Sequence, residues 1–187
     1  MTEAVAIRCY APRDAAALCE AARESIEDVY PWLEWCHPGY EISESRAWIR
    51  HCRRSWEAEE EYQFVIVGPG DAYLGGCGLN RIERDHRTAN LGYWVRSSAT
   101  GRGVATAAAR QVALFAFEAT ELNRLEILTA VENRASQKVA ERLGAIREGV
   151  AGSRLCLHGK MHDAVQYAIV RGRWEPSRAS ASASDSA

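Results

Sequence analysis

The chain of 187 residues is poor in the features that several functional classes require. Its longest apolar runs fall well short of the roughly 20 residues needed to cross a bilayer, so no membrane span is predicted. Charge of one sign is missing too: 23 Lys and Arg face 25 Asp and Glu, a net charge of −2. That balance removes the electrostatic case for nucleic acid or an anionic membrane as the main partner. Met1-Thr2-Glu3-Ala4 lacks the basic-then-apolar layout of a signal peptide, and the expected location is cytoplasmic. The six cysteines (Cys9, Cys19, Cys36, Cys52, Cys77, Cys156) include no Cys-x-x-Cys pair. Structural zinc is therefore not expected, and the thiols read as small buried hydrophobes.

What is present is a strongly patterned single domain, with 47% hydrophobic residues in a length suited to one core. Val5, Ile7 and Cys9 alternate as an opening strand, and Pro12 suits the first turn of a helix through Ala15–Leu18. Residues 25–38, with Tyr30-Pro31-Trp32 and Trp35-Cys36-His37-Pro38, read as a kinked helix or loop with an aromatic face. A helix is predicted over 43–58 with Ser43 as its cap, then strands over Tyr62–Val67, Tyr73–Ile82 and Thr88–Arg96. Val104, Ala108, Val112, Phe115 and Ala119 form one helical stripe, followed by a buried strand at 125–130. Asn133 opens a shorter helix that Gly144 ends, and two closing strands, 145–157 and 161–171, turn at His158-Gly159-Lys160. The fold class is α/β, a mixed sheet with helices on its faces. The domain is expected over 1–172 and a flexible Ser/Ala-rich tail over 173–187.

Chemistry concentrates in two segments. Gly92-Tyr93-Trp94-Val95-Arg96 runs into Gly101-Arg102-Gly103-Val104-Ala105-Thr106, a strand leading through a glycine-bearing loop into a helix. Glycines there let the backbone approach an anion, and the free N–H groups of the first helical turn point at it, a layout suited to a pyrophosphate. The structural alternative is that Gly101 and Gly103 only make a tight turn. A nicotinamide site would want Gly-x-Gly-x-x-Gly in the first strand–helix unit, whereas this loop lies mid-chain and carries Thr106 at the third position. The second segment is Glu132-Asn133-Arg134-Ala135-Ser136-Gln137-Lys138-Val139, ending in Leu143-Gly144.

Arg-x4-Gly-x-Gly-x-Ala-Thr, then Glu-Asn-x-x-Ser-x-x-Val-x-x-x-Leu-Gly, then Glu148-Gly149 with Gly159, Asp163 and Tyr167, together resemble the GNAT superfamily of N-acetyltransferases over residues 4–171. The likeness is to its RimJ/RimL-type branch, whose members acetylate N-terminal α-amines of ribosomal proteins or various small amines. The resemblance implies a single-domain, mostly antiparallel sheet, splayed between the strand before the glycine loop and the strand at 125–130. It also implies acetyl-CoA as donor, bound by the loop that starts at Gly101, its pyrophosphate on the N–H groups of Arg102, Gly103, Val104, Ala105 and Thr106. Trp94, Val95 and Arg96 would line the pantetheine arm, with backbone pairing at Val95 and Arg96 and an oxyanion-binding N–H near Trp94–Val95. Asn133 would reach the same arm, and Lys138 or Arg142 the phosphates. Tyr30, Trp32 and Trp35 would line the acceptor side, with core packing as the alternative.

For catalysis, the place of the family's helix tyrosine is taken by Ala140; the resemblance implies that Ser136 is the serine RimL-like enzymes place near the sulfur, which makes it the candidate proton donor. A serine in a helix's first turn can also simply bond locally. The familiar glutamate base on the strand before the glycine loop aligns with Asn90, which can hold a water but not take a proton. The second familiar glutamate falls in Ser153-Arg154-Leu155-Cys156. Glu27, Asp28, Glu34 and His86 remain as bases acting through water. A lysine amine is only about 0.1% neutral near pH 7.5 and an α-amine about 40%, a difference of roughly 3.7 kcal/mol. A site without a strong base therefore favours an α-amine or another low-pKa amine. The expected partner is an amine acceptor, a peptide N-terminus or small molecule, with no nucleic acid, membrane or metal. The chain would act as a monomer or as a homodimer through its edge strands or closing hairpin. The competing reading, from the missing base and tyrosine, is a non-catalytic acyl-CoA-binding module.

Overall fold

The computed structural model describes residues 4–175. Seven strands form one sheet in the order β1-β2-β3-β4-β5-β7-β6. They are β1 (Ala6–Cys9), β2 (Tyr62–Val67), β3 (Tyr73–Glu83), β4 (Thr88–Val95), β5 (Arg124–Ala130), β6 (Ile146–Leu157) and β7 (Lys160–Val170). Every neighbouring pair is antiparallel except β4 and β5. A parallel pair needs a long crossover, and α4 (Val104–Ala119) supplies it. Among the described residues no helix is long and apolar enough to cross a membrane.

The alternation of β4 and β5 decides what each face carries. Leu91 and Tyr93 of β4, Leu125 and Ile127 of β5, and Val165, Tyr167 and Ile169 of β7 join the main core. α4 closes that core with Val104, Ala108, Val112 and Ala116, buried to within 2% of full exclusion, and packs against α5 (Arg134–Leu143). Truncating a fully buried leucine such as Leu125 would cost about 2–5 kcal/mol. The other face, over β2 and β3, is covered by α1 (Ala15–Glu24) and α3 (Ile42–Glu57). Trp94 packs there, and Gly76 makes room for it: a Cβ at Gly76 would sit 2.7 Å from the Trp94 indole nitrogen and 2.6 Å from the Tyr10 hydroxyl.

The expected splay is explicit in the register. β4 pairs with β5 only at Thr88–Arg124, Ala89–Leu125 and Asn90–Glu126, whereas β3–β4 pairing continues to Val95 and β5–β7 pairing to Ala130. The sheet therefore opens into a V whose vertex lies at Asn90 and Glu126.

Three sequence expectations change. α3 begins at Ile42 after Glu41, whose N–H donates to Glu44 Oε2 at 2.7 Å, so Ser43 is not the cap. The acidic side chain at the third helical position closes back on the N–H of the capping residue, one half of a capping box. The closing hairpin turns on His158 and Gly159 alone, with φ of +50° and +72°, and Lys160 already belongs to β7. Trp174, assigned to the tail over 173–187, is docked on the domain. Its Nε1–H donates to Leu143 O at 2.8 Å and its ring meets Phe117 edge-on at 6.0 Å. The rest of that expected tail, 176–187, lies outside the described residues.

Candidate active site

The slot between β4 and β5 has one wall of open backbone. Arg96 N–H donates to Leu74 O at 2.9 Å, toward β3. A strand alternates its backbone groups between edges, so Val95 and Tyr93 turn theirs to the side that β5 has left. Arg96 gives its own N–H to Leu74, and its guanidinium is engaged as well: Nε donates to Glu24 at 2.9 Å, Nη2 to Glu20 at 3.0 Å and Nη1 to Tyr73 O at 3.3 Å. Glu24 also accepts from Ser98 N–H at 2.7 Å, and these bonds hold its carboxyl down at about 2. Arg96 thus ties the end of β4 to α1 and fixes the loop leading to the glycines.

At that loop Gly101 and Gly103 have φ of +75° and +79°, and Gly103 is the N-cap of α4. No side chain caps this helix, so the N–H groups of Val104, Ala105 and Thr106 have no intrahelical partner. An added Cβ at Gly101 or Gly103 would meet nothing within 4 Å. Open space, uncapped N–H groups and the positive end of a helix dipole suit a phosphate. The N-terminus of α5 differs, because Asn133 Oδ1 accepts from Ser136 N–H at 3.0 Å and caps it. Lys138 and Arg142 lie exposed on α5.

Inside the slot, on the core face, Ser136 Oγ lies 3.1 Å from Tyr93 Oη, which also donates to Ser136 O at 3.1 Å. The Ser136 hydroxyl therefore reaches across to β4 as well as sitting in the first turn of its helix. Burial pushes the Tyr93 phenol up to about 12. Continuing the Asn90–Glu126 register by three residues sets Thr129 level with Tyr93 across the gap. Thr129 is 4% exposed and its Oγ1 has no hydrogen-bond partner. An orphaned buried hydroxyl at this level fits an amide-bearing chain lying in the slot.

On the opposite face lies a second set of groups. Asn90 Nδ2 donates to Asn80 Oδ1 at 2.9 Å, leaving Asn90 Oδ1 to accept from a water or an amine. Glu126 is its register partner one strand away, a spacing of about 4.8 Å. The two share a small cleft with Arg81, Arg154 and Gln166. Arg124 Nε donates to Glu126 Oε1 at 2.9 Å, and its Nη1 donates to Glu148 Oε1 at 2.7 Å. That bond holds the Glu148 carboxyl below its ordinary value. Sequence reasoning missed Glu126 because its place at the vertex depends on strand pairing.

The aromatic segment before α3 stands over this same face. Trp35, 37% exposed, meets Trp94 edge-on at 5.1 Å and Tyr40 at 5.6 Å. The Trp94 side chain thus groups with these rings, on the opposite face from Tyr93 and Ser136. Tyr30, after α2 (Ile26–Val29), lies 4.4 Å from the His158 ring, and its carbonyl accepts from His158 Nε2–H at 2.9 Å. Glu34 accepts from His158 N–H, so the segment and the closing hairpin are joined. Trp32 is half-buried in the turn between them. Of the water-linked bases considered, Glu34 is occupied by this bond and Asp28 accepts from Ser97 Oγ. His86 lies in the β3–β4 turn, at the far end of β4 from the glycine loop.

Comparison with known proteins agrees with this geometry. The family described as "Acetyltransferase (GNAT) domain" matches residues 5–146. The "Putative ribosomal N-acetyltransferase YdaF" of Bacillus subtilis (strain 168) is 31% identical over 176 residues, 94% of this chain and 96% of its own length. A crystal structure of a "Probable acetyltransferase" superposes with a TM-score of 0.83 at 30% identity, covering 91% of this chain and 94% of the other. Mycobacterium smegmatis RimJ, solved in complex with CoA-disulfide, superposes at 0.79 with 28% identity, covering 91% and 83%. The splayed sheet, the uncapped glycine turn and these matches lead to one conclusion: the chain belongs to the GNAT acetyltransferase family and is an N-acetyltransferase with acetyl-CoA as donor.

Proposed function

We propose that this protein acetylates a free α-amine, at a protein or peptide N-terminus or on a small molecule, in the cytoplasm. The observation that carries the reading is the pairing of Asn90 with Glu126 at the vertex of the splay. It supplies a carboxylate to a site whose aligned base position holds an amide.

The residues divide the work by face. Backbone N–H groups of Arg102 through Thr106 hold the pyrophosphate, with Lys138 and Arg142 near the remaining phosphate. The open edge at Val95 and Tyr93 takes the pantetheine amides as a strand would, and Asn133 flanks that arm. The donor supplies an acyl carbon bonded to a thiol leaving group. Val95 N–H, turned into the gap, is placed to stabilise an oxyanion. Ser136 faces the sulfur. Asn90 Oδ1 holds the amine or its bridging water, and Glu126 accepts the proton. Glu126 Oε1 accepts from Arg124 Nε at 2.9 Å, which orients the carboxylate at the vertex. An α-amine, about 40% neutral near pH 7.5, asks little of such a carboxylate, whereas a lysine amine asks roughly 3.7 kcal/mol more. Tyr30, Trp32 and Trp35 with Trp94 form the acceptor's apolar wall. The names of the ribosomal N-acetyltransferase relative and of RimJ support a protein acceptor.

The test is free-CoA release from acetyl-CoA over one lysine-containing peptide with free and with blocked N-terminus, a polyamine and an aminoglycoside. Turnover that needs the free N-terminus is expected. Turnover on lysine or polyamine alone would overturn the α-amine reading while keeping the enzyme class. Acetyl-CoA binding without turnover on any amine would favour the non-catalytic module.

A further inference from the structure

We propose that Tyr93 is the positioning residue of the Ser136 hydroxyl, so that the two side chains act as one hydrogen-bond donor toward the leaving sulfur. This rests on the acetyl-transfer reading of the slot. Tyr93 Oη stands 3.1 Å from both Ser136 Oγ and Ser136 O. A carbonyl only accepts, so the pair has two arrangements. In one, the phenol donates to the carbonyl and accepts the serine proton. In the other, the phenol donates to Oγ and the serine proton is released toward the slot. Rotating two hydroxyls exchanges them, and no heavy atom moves.

The surroundings favour this use. The backbone of Ser136 is held by its N–H bond to Asn133 Oδ1, and Tyr93 Oη is the side-chain partner of its hydroxyl at 3.1 Å. Ala140, one turn further along α5, is fully buried and brings no hydroxyl of its own. Thr129 Oγ1, further along β5 on the core face, is a second buried hydroxyl, with no partner among the described residues. The phenol, held near 12, stays protonated throughout the working range and remains a donor. As the carbon–sulfur bond breaks, its electron pair stays on sulfur. Ser136 donates a hydrogen bond to that sulfur while Tyr93 donates to Ser136 Oγ. Both protons stay on their oxygens, because an ordinary thiol near 8.5 is the stronger acid. The proton released by the amine leaves through Glu126 to solvent.

The deciding measurement is the pKa of the CoA thiol when bound, read from thiolate absorbance as a difference against CoA-free protein. It is made on the wild type, Tyr93→Phe, Ser136→Ala and the double variant, with CoA affinity and melting temperature alongside. A hydrogen bond to a charged partner should lower the bound thiol by about one unit, a tenfold effect, in the wild type relative to Tyr93→Phe. The double variant should lose no more than Ser136→Ala. In turnover, Tyr93→Phe should lower kcat about tenfold and leave the donor KM within about twofold. A bound-thiol pKa equal in wild type and Tyr93→Phe overturns the proposal, as does additivity of the two substitutions. Failure of the wild type to bind CoA would instead overturn the reading of the slot on which it rests.

Discussion

If the turn before α4 is a phosphate cradle rather than only a turn, Gly103→Ala must do two separable things. The first is strain. Gly103 has φ of +79°, and a non-glycine residue held in that left-handed region costs about 1–2 kcal/mol. For a chain of this length, each kcal/mol lowers the melting temperature by about 2–4 °C, so a loss of about 2–8 °C is expected. There is no steric addition from the protein, since the new Cβ would meet nothing within 4 Å. The second effect exists only with a ligand, because that open space lies against the uncapped N–H groups of α4. Displacing one hydrogen bond to a charged phosphate costs about 1.5–3 kcal/mol, which weakens CoA binding by about tenfold to a hundredfold. Gly70→Ala is the control. Its φ is +68°, its Cβ would also meet nothing within 4 Å, and it lies in the turn between β2 and β3. It should show the same loss of melting temperature with CoA affinity intact. Calorimetric titration with CoA plus thermal melts of both variants decides the matter. Equal CoA affinity in Gly103→Ala and wild type would mean that the glycines serve the chain alone, and the cradle would be wrong.

Two further outcomes follow from the ties around the site. Glu24→Gln should raise the donor KM several-fold with little change in kcat, because Glu24 holds both Arg96 and the Ser98 N–H at the entrance to the glycine loop. Its carboxyl is depressed from 4.5 to about 2, so its contribution to stability is complete above about pH 4.5 and fades as pH falls toward 2. The group is largely in solvent, which limits that contribution to under about 1 kcal/mol. The gap in melting temperature between wild type and Glu24→Gln should therefore hold from pH 6 to about 4.5 and narrow from there toward pH 2; a constant gap across that lower range would contradict the assignment. Trp174→Ala should cost about 1–3 kcal/mol by removing the bond to Leu143 O and the packing on Phe117. A chain ending at residue 172 should melt several degrees below one ending at 175, and equal melting would return Trp174 to the tail.

What could be read from the sequence, and what could not, follows the range of the interaction. Strand and helix periods are local, so Tyr62–Val67 and the helix from Val104 emerge at their observed bounds. Caps are local as well: Asn133 and Gly144 take the roles that their side chains and backbones suggest. Ser43 fails as a cap only because Glu44, one residue on, reaches back to Glu41. The splay is different in kind. No periodicity distinguishes a strand that pairs along its length from one that parts after three residues, and that feature came from family resemblance. Its consequences were hidden for the same reason. Tyr93 adjoins Trp94 in the motif, yet alternation sends the two rings to opposite faces, and only folding brings Tyr93 to Ser136, 43 residues away. Glu126 lay unnoticed in a buried-looking strand until pairing set it beside Asn90.

The loss of both familiar catalytic groups thus has a common structural meaning. A helix tyrosine would bring its own hydroxyl to the sulfur from α5, and a strand glutamate would bring its own carboxylate from β4. On the proposed reading the resemblance sets Ala140 and Asn90 in those places, and each group has a counterpart across the splay. The phenol comes from β4 to meet α5, and the carboxylate comes from β5 to meet Asn90. Both substitutes depend on the spacing of two strands that are held together at only three residue pairs. Widening the vertex should therefore weaken both halves of the site together, whereas a variant of either substitute should affect its own half alone.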